Sequence, residues 1–243
     1  LSGGDSAFFR EWFNTQPSEK RLSLCKGLIK QKLSKMNCVN DRELDAYIDR
    51  VIGTISEDQL SELEQSPYPY AVKIHEKVKE LIAQHRSGVF DTWLEQDKIS
   101  CLPNYALPAV ISPTAFISMV PKSLYTAEED TNEYEFKMVW ALSEQSNVKW
   151  WHRNISRLGF QINGPVHAYP DIIVMLHSGK VLMVETKGDH LDNDESKEKA
   201  KIGDQWAKLA GKQYKYYMVF ETKQPDYPGA YSFERFMAIV KGL

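Results

Sequence analysis

The chain has 243 residues, of which 42% are hydrophobic and 26% charged, the balance of an ordinary water-soluble globular protein. No apolar run reaches the roughly 20 residues that a membrane-spanning helix needs. The formal net charge of −3 argues against bulk-charge binding to nucleic acid, although local basic patches and bound cations can offset acidic regions.

The length allows one large domain or two small ones. Cys25, Cys38 and Cys101 are scattered without metal-ligand spacing, so they read as reduced thiols in a cytoplasmic setting. The opening Leu1–Ser6 has neither a basic n-region nor an apolar h-region, and the missing initial Met reads as an excised fragment.

Residues 1 to about 95 read as helical and polar. Leu44, Ile48 and Val51 recur at helical spacing between Asp41 and Ile52. Ser56 followed by Gln59 matches a capping box at the start of a second helix. Between Tyr70 and Ala83, the residues Ala71, Ile74, Val78, Leu81 and Ile82 form one stripe. The basic run Lys26, Lys30, Lys32 and Lys35 reads as a solvated helix face, with phosphate contact as the alternative.

From Cys101 to Tyr125 the texture changes. Pro103, Pro108, Pro113 and Pro121 break any helix and leave an extended connector, with one short apolar element near Val110 or Phe116. The domain boundary is placed here, giving a helical region with connector over 1–115 and a second domain over 116–243. No Gly-x-x-x-x-Gly-Lys-Ser/Thr loop occurs, so no ATPase activity is expected of this chain.

Asn132 to Ser143 is a helix, with capping-box matches at Asn132/Glu135 and Asp130/Glu133. Glu135, Met138, Val139 and Leu142 share one face, so Glu135 should point at the core. Glu133 lies on another face with Phe136, Lys137 and Trp140. Either acid can also serve simply as a cap or a dipole partner. Val148 to Asn154 reads as a first core strand in which Trp150 and Trp151 pack, and Phe160 to Asn163 as a continuation of the sheet.

Tyr169 to Gly188 reads as two strands joined by a tight turn. Both are apolar on nearly every residue, so both faces should be buried. Asp171, Glu185 and Lys187 interrupt them, and burying unpaired charge is costly, so these groups should be paired or used on a metal. A two-residue turn at Ser178-Gly179 would put the acids on opposite faces. A three-residue loop over His177–Gly179 pairs Leu176 with Lys180 and sets Asp171 opposite Glu185. Gly179 then takes a left-handed backbone, and Thr186 points away from the cluster. The second register is the one expected. Two carboxylates so placed can hold a hard divalent cation through oxygen, and Lys187 can hold a phosphate or a nucleophilic water.

Asp189 to Glu195 lacks the glycine and final glutamate of a calcium-binding loop and reads as a solvated loop capping the next helix. That helix, Ser196 to Ala210, carries Ala200, Gly203, Ala207 and Ala210 for close packing on the sheet. Tyr214 to Glu221 reads as a further core strand and Ser232 to Val240 as a closing helix.

The spacing Tyr-Pro-Asp (169–171), about a dozen residues, then Glu-Thr-Lys (185–187) resembles the PD-(D/E)XK nuclease superfamily. Asn-Glu-Tyr-Glu (132–135), Val-Lys-Trp-Trp-His-Arg-Asn (148–154), Val-Glu-Thr-Lys-Gly (184–188) and the Lys/Ala helix after them resemble the C-terminal nuclease region of the restriction subunit of type III restriction enzymes. The likeness runs from about Lys122 to Glu221. It implies an α/β fold, with a mixed central sheet flanked by helices (a restriction-endonuclease-like core) behind a mainly helical region. It also implies a Mg²⁺-dependent endodeoxyribonuclease, with Mn²⁺ able to substitute.

By that resemblance Asp171, Glu185 and the Thr186 carbonyl bind metal, Lys187 assists, and the core helix adds a third carboxylate, Glu135 or, failing that, Glu133. Lys149, Arg153 and Arg157 would meet the DNA backbone. His152 is left out of the catalytic set as a structural residue. Gln205, in the helix after the motif, would reach the site or else lie on the surface. The implied partners are double-stranded DNA, an upstream helicase motor and a separate modification subunit, with no membrane. No base-reading motif is present, so little sequence preference is expected. Two alternatives stay open: a structure-specific repair nuclease of the same fold, and a non-catalytic module in which Asp171, Glu185 and Lys187 form a structural ion cluster.

Overall fold

The computed structural model describes residues 11–33, 40–103, 105–117 and 119–243. Lys35, Cys38 and the opening Leu1–Ser6 lie outside the described residues. The chain forms two compact units, one up to Val89 and one from Phe90. The expected boundary near residue 115 therefore moves upstream. Cys101 and Leu107 of the connector pack against the second unit's core, so the connector belongs with the sheet.

The first unit is helical: α1 Ser18–Leu33, α2 Asp41–Thr54, α3 Glu57–Gln65 and α4 Pro67–Glu95, whose last turns pass the unit boundary. Asn40 caps α2, and the capping box at Ser56 and Gln59 is present in full. Cys25, Ile29, Leu44, Ile48, Leu63 and Ala71 build the core. Leu81, expected on the buried stripe, is 44% exposed because it flanks the Ala71–Ile74–Val78–Ile82 line instead of lying on it. Lys26 and Lys30 pair with Asp49 and Asp45 of α2, at 2.6 and 2.8 Å, so these two serve the helix pair.

The second unit is mixed α/β. A small pair, β1 Phe116–Ile117 with β2 Glu128–Glu129, stands beside a five-stranded sheet. The sheet runs β3 Val148–Arg153, β4 Ile172–Leu176, β5 Val181–Lys187, β6 Tyr214–Phe220 and β7 Ala230–Ser232. The β3–β4 and β4–β5 pairs are antiparallel, and β5–β6 and β6–β7 are parallel. Helices α5 Glu133–Ser143 and α7 Phe233–Lys241 cover one face, and α6 Asp194–Ala210 covers the other.

This arrangement follows from the pattern. Ile172, Val174 and Leu176 pack with Met138 and Leu142 of α5, while Ile173 and Met183 pack with Ile202 and Trp206 of α6. The near-continuous apolar runs thus serve two buried faces. Gly203 lets α6 sit tightly, since a Cβ there would lie 2.3 Å from the Tyr216 ring. The structure chooses between the two positions expected for the connector's apolar element, and one other element departs from expectation. Val110 lies in no strand and is 79% exposed, so the short apolar element is at Phe116. Residues 160–163 do not extend the sheet but make one isolated bridge, Ile162 to Ala168. The buried Asn154 side chain takes both the N–H and the carbonyl of Phe160, which removes them from any ladder. Among the described residues no helix is long and apolar enough to cross a membrane.

The β4–β5 turn is the three-residue loop. Ile172 faces Val184, and the Leu176 N–H donates to the Lys180 carbonyl at 2.9 Å. Gly179 has φ +82°, with nothing within 4 Å of where a Cβ would stand. A side chain there would meet only backbone strain. Gly179→Val should therefore cost about 1–2 kcal/mol, and Gly179→Asn distinctly less, as read by urea denaturation. Equal stability of both variants and wild type would refute the assignment of strain.

Candidate active site

One residue past the Ile172–Val184 pair, the same register sets Asp171 opposite Glu185, at the carboxyl ends of the parallel strands. Lys187 Nζ lies 2.7 Å from Glu185 Oε1, and the Tyr216 hydroxyl donates to Oε2 at 2.9 Å. The Glu185 side chain is 3% exposed, so both partners act in a weakly screened setting. Burial pulls the Lys187 ammonium pKa down, but the charge and hydrogen bond of Glu185, aided by Asp171 and Glu195, outweigh it and leave the pKa above its usual value. Lys187 is thus a fixed cation and is unsuited to act as a base. Burial, with Glu185 beside it, pushes the Tyr216 hydroxyl well above its ordinary value, so it remains a neutral donor.

Asp171 behaves differently from expectation in one respect. Its Oδ2 accepts from the Thr186 N–H at 2.7 Å and from the Thr186 hydroxyl at 2.9 Å. Thr186 therefore does not turn its side chain away from the cluster. Asp171 precedes the first ladder residue of β4, so the pleat does not fix its carboxylate, which lies across the strand end. Its charge reaches Lys187 and Tyr216 as well as Glu135.

Glu135 enters through α5. Asn132 and Glu135 form the capping box, the Asp130/Glu133 alternative does not, and Glu135 is buried while Glu133 is exposed. One Glu135 oxygen accepts from the Asn132 N–H at 3.0 Å. The other accepts from Arg153 Nη2 at 2.9 Å. Arg153 Nη1 reaches the Asp171 carbonyl at 2.9 Å and its Oδ1 at 3.3 Å. Arg153, expected at the DNA backbone, instead joins two acids. Burial raises the Glu135 pKa, with Arg153 opposing it and Asp171 adding to it.

A second tier supports Arg153. Glu128, fully buried on β2, accepts from the Arg153 N–H at 3.1 Å and from His152 Nδ1 at 2.8 Å. Ser123 and Tyr125 donate to its other oxygen. His152 is buried against Glu128, a partner that was not anticipated. Nothing in the local sequence around Glu128 marks it for burial. The Tyr216 hydroxyl was missed for a similar reason, since a tyrosine in an apolar strand reads as packing.

Beside these groups lies a cleft of about 480 Å³, lined by Glu133, Glu135, Asp171, Lys187, His190 and Glu221, among others. Lys149 is exposed on β3. Arg157 and Gln205 line a different cavity and do not join the acids. Among the described residues, no three of His, Cys, Asp and Glu gather as a ready cation site. No protein-family model, curated protein or solved structure matches this chain.

Arg153→Gln would leave Glu135 and Asp171 close together without their shared cation. The expected loss is about 3 kcal/mol, typical when one partner of a buried pair is removed. Glu135, already raised by burial, would then rise further. A carboxyl whose folded pKa is raised costs stability above that pKa and is relieved as pH falls through it. The deficit of the variant should therefore be larger at about pH 7.5 than at about pH 5, as read by urea denaturation at both. A deficit independent of pH would separate Arg153 from Glu135.

Proposed function

We propose that this chain is a divalent-metal-dependent endodeoxyribonuclease acting on double-stranded DNA, with its site at Asp171, Glu185 and Lys187 and with Glu135 as the third acid. The observation that carries this reading is the end of β5: Asp171 is bonded to Thr186, the residue between Glu185 and Lys187, and Lys187 pairs with Glu185 next to an open cleft. The resemblance of Asn132–Glu135, Tyr169–Asp171 and Glu185–Lys187 to the nuclease region of type III restriction subunits supports it. On the same reading, a helicase motor and a modification subunit would supply movement and recognition.

The donor chemistry fits a hard cation, since oxygen is the only ligand atom these residues offer. Asp171 and Glu185, with the Thr186 carbonyl, would hold Mg²⁺ or Mn²⁺, which when bound supplies an activated water and offsets phosphate charge. The other contributions belong to the chain. Lys187, kept protonated by Glu185, stabilises negative charge building on the phosphoryl oxygens. Tyr216 and Lys187 each take one oxygen of Glu185 and fix the orientation of its carboxylate. Arg153 keeps Glu135 and Asp171 together. Water adds to phosphorus, the P–O ester bond breaks, and the leaving oxygen takes up a proton.

A second reading is favoured by one specific observation. Asp171, Glu185, Glu135, Lys187 and Arg153 are all partnered, as they would be in a purely structural ion network.

Supercoiled plasmid with Mg²⁺ or Mn²⁺ separates the two. The nuclease reading expects nicking that falls about 100-fold or more in Lys187→Ala and in Asp171→Asn, each still folded by circular dichroism. Asn is preferred to Ala at 171 because it keeps a polar partner for Thr186. Nicking at the wild-type rate in both variants would overturn the assignment.

A melting experiment is independent of turnover. Saturating Mg²⁺ should raise the Tm of wild type, since a ligand that binds only the folded state stabilises it by mass action. Asp171→Asn should lose that shift. No shift in wild type would favour the structural network.

A further inference from the structure

The cavity that received Arg157 and Gln205 contains none of the acids of the site above. It has a volume of about 480 Å³ and lies between residues 99–103, Tyr105, the 157–163 loop and α6. Its inner wall is aromatic. Tyr105 and Phe160 meet edge-on, with ring centres 5.7 Å apart, and Phe160 and Trp206 do the same at 5.4 Å. Phe160 and Trp206 are buried, while Tyr105 is 39% exposed and offers ring surface to the cavity. The half-buried Gln205 amide and the exposed Arg157 guanidinium complete the lining. Neither has a hydrogen-bond or ion-pair partner among the described residues. Arg157 is the one charged side chain lining the cavity among those residues, and none is acidic.

The loop carrying Arg157 is held under strain. Arg157 has φ +68°, a conformation costly for a residue with a Cβ and one that persists only where its surroundings enforce it. Asn154, 1% exposed, closes the loop that carries Arg157. Its side chain accepts from the Phe160 N–H at 2.7 Å and donates to the Phe160 carbonyl at 2.9 Å. A Cβ at Gly159 would stand 2.1 Å from the Asn154 Oδ1. The same amide donates to the Pro170 carbonyl at 2.7 Å, one residue before Asp171. One buried side chain thus fastens both the aromatic wall and the strand end of the acid cluster.

An aromatic wall, a free amide, one cation and no acid suit a planar polar ring that carries an anionic group. Amides read the edge of such a ring, aromatic and guanidinium planes stack on it, and arginine meets a phosphate. We propose that this cavity holds one nucleobase turned out of the stack of the bound duplex, packed against Tyr105, with the Gln205 amide on its edge and Arg157 on the adjoining phosphate; a single strand, already unpaired, escapes the cost of leaving the stack. The choice of a nucleobase over other planar anionic ligands rests on the nuclease reading.

The experiment uses the full chain in EDTA, so that cleavage does not intrude. Fluorescence anisotropy follows a labelled short single-stranded oligodeoxynucleotide and its paired duplex. Calorimetry follows the four deoxynucleoside monophosphates and ribose 5-phosphate. The single strand should bind more tightly than the duplex, the monophosphates weakly, and ribose 5-phosphate not at all. Tyr105→Ala, Arg157→Ala and Gln205→Ala should each weaken single-strand binding about tenfold, and Arg157→Ala and Gln205→Ala, which break no aromatic pair, should do so with an unchanged Tm.

Affinity untouched by all three variants overturns the proposal, as does equal binding of ribose 5-phosphate and the nucleotides. Lys187→Ala separates this site from the cluster. Nicking lost in that variant with single-strand binding retained supports both readings. A wild type that never nicks, yet binds single strands in a Tyr105-dependent way, removes the nuclease assignment and leaves the nucleobase cavity standing.

Discussion

Carboxylates buried on β2, in the first turn of α5 and near the end of β5 are the constraint on which the second unit turns. Glu128, Glu135 and Glu185 are all under a tenth exposed, and an ionised carboxylate so placed is stable only with donors around it. Glu128 and Glu135 both find them in β3, Glu135 also in its own cap, and Glu185 in β5 and β6. The polar groups therefore tie together elements that apolar packing alone would leave free to slide. Arg153 is the clearest case. Its flat fork presents donors in two directions, so it can span Glu135 on α5 and Asp171 at the start of β4. A lysine, with one compact charge, has no equivalent geometry.

What could be read from the sequence was what local spacing decides. The hairpin register followed from Gly179 and the length of the apolar runs. The caps at Ser56 and Asn132 followed from residues three apart, and the buried stripe of α5 from its period. Asp171, Glu185, Lys187 and Glu135 were found this way because each breaks an apolar pattern. The partners of those charges were not legible. Glu128 lies 24 residues from His152, and Tyr216 lies 31 from Glu185. Such pairings are created by the folded sheet and leave no periodic trace. Strand β7 was missed because three residues running straight into a helix carry no alternation. The sheet extension at 160–163 failed because a side chain, Asn154, took the backbone groups a neighbouring strand would have used.

The two cavities of this unit differ in a way that their shared neighbourhood makes informative. One is lined by four acids and a lysine, the other by aromatic rings, amides and one arginine. Asn154 stands between them, bonded to Phe160 on one side and to Pro170 on the other. A shift in the 155–159 loop would thus be felt at the backbone next to Asp171. Coupling through a single rigid, buried amide needs no large motion, because its donors and acceptors are already fully engaged.

Charge balance bears on why a cation would be needed at all. The cluster comprises three carboxylates (Glu135, Asp171 and Glu185) and two cations (Arg153 and Lys187), so with every group ionised it carries a net charge of −1. A phosphodiester brings one more negative charge into a setting where repulsion is poorly screened. The fixed cations answer it only in part, since Lys187 is shared with Glu185 and Arg153 with Glu135 and Asp171. On the proposed reading, the chain by itself would repel its substrate. A divalent ion at Asp171 and Glu185 would bring the sum of protein, metal and phosphate to zero. On this argument the ion pairs that favour a structural reading are also the resting state that a metal-dependent site would need, because unpaired acids at this depth would not stay ionised to receive the metal.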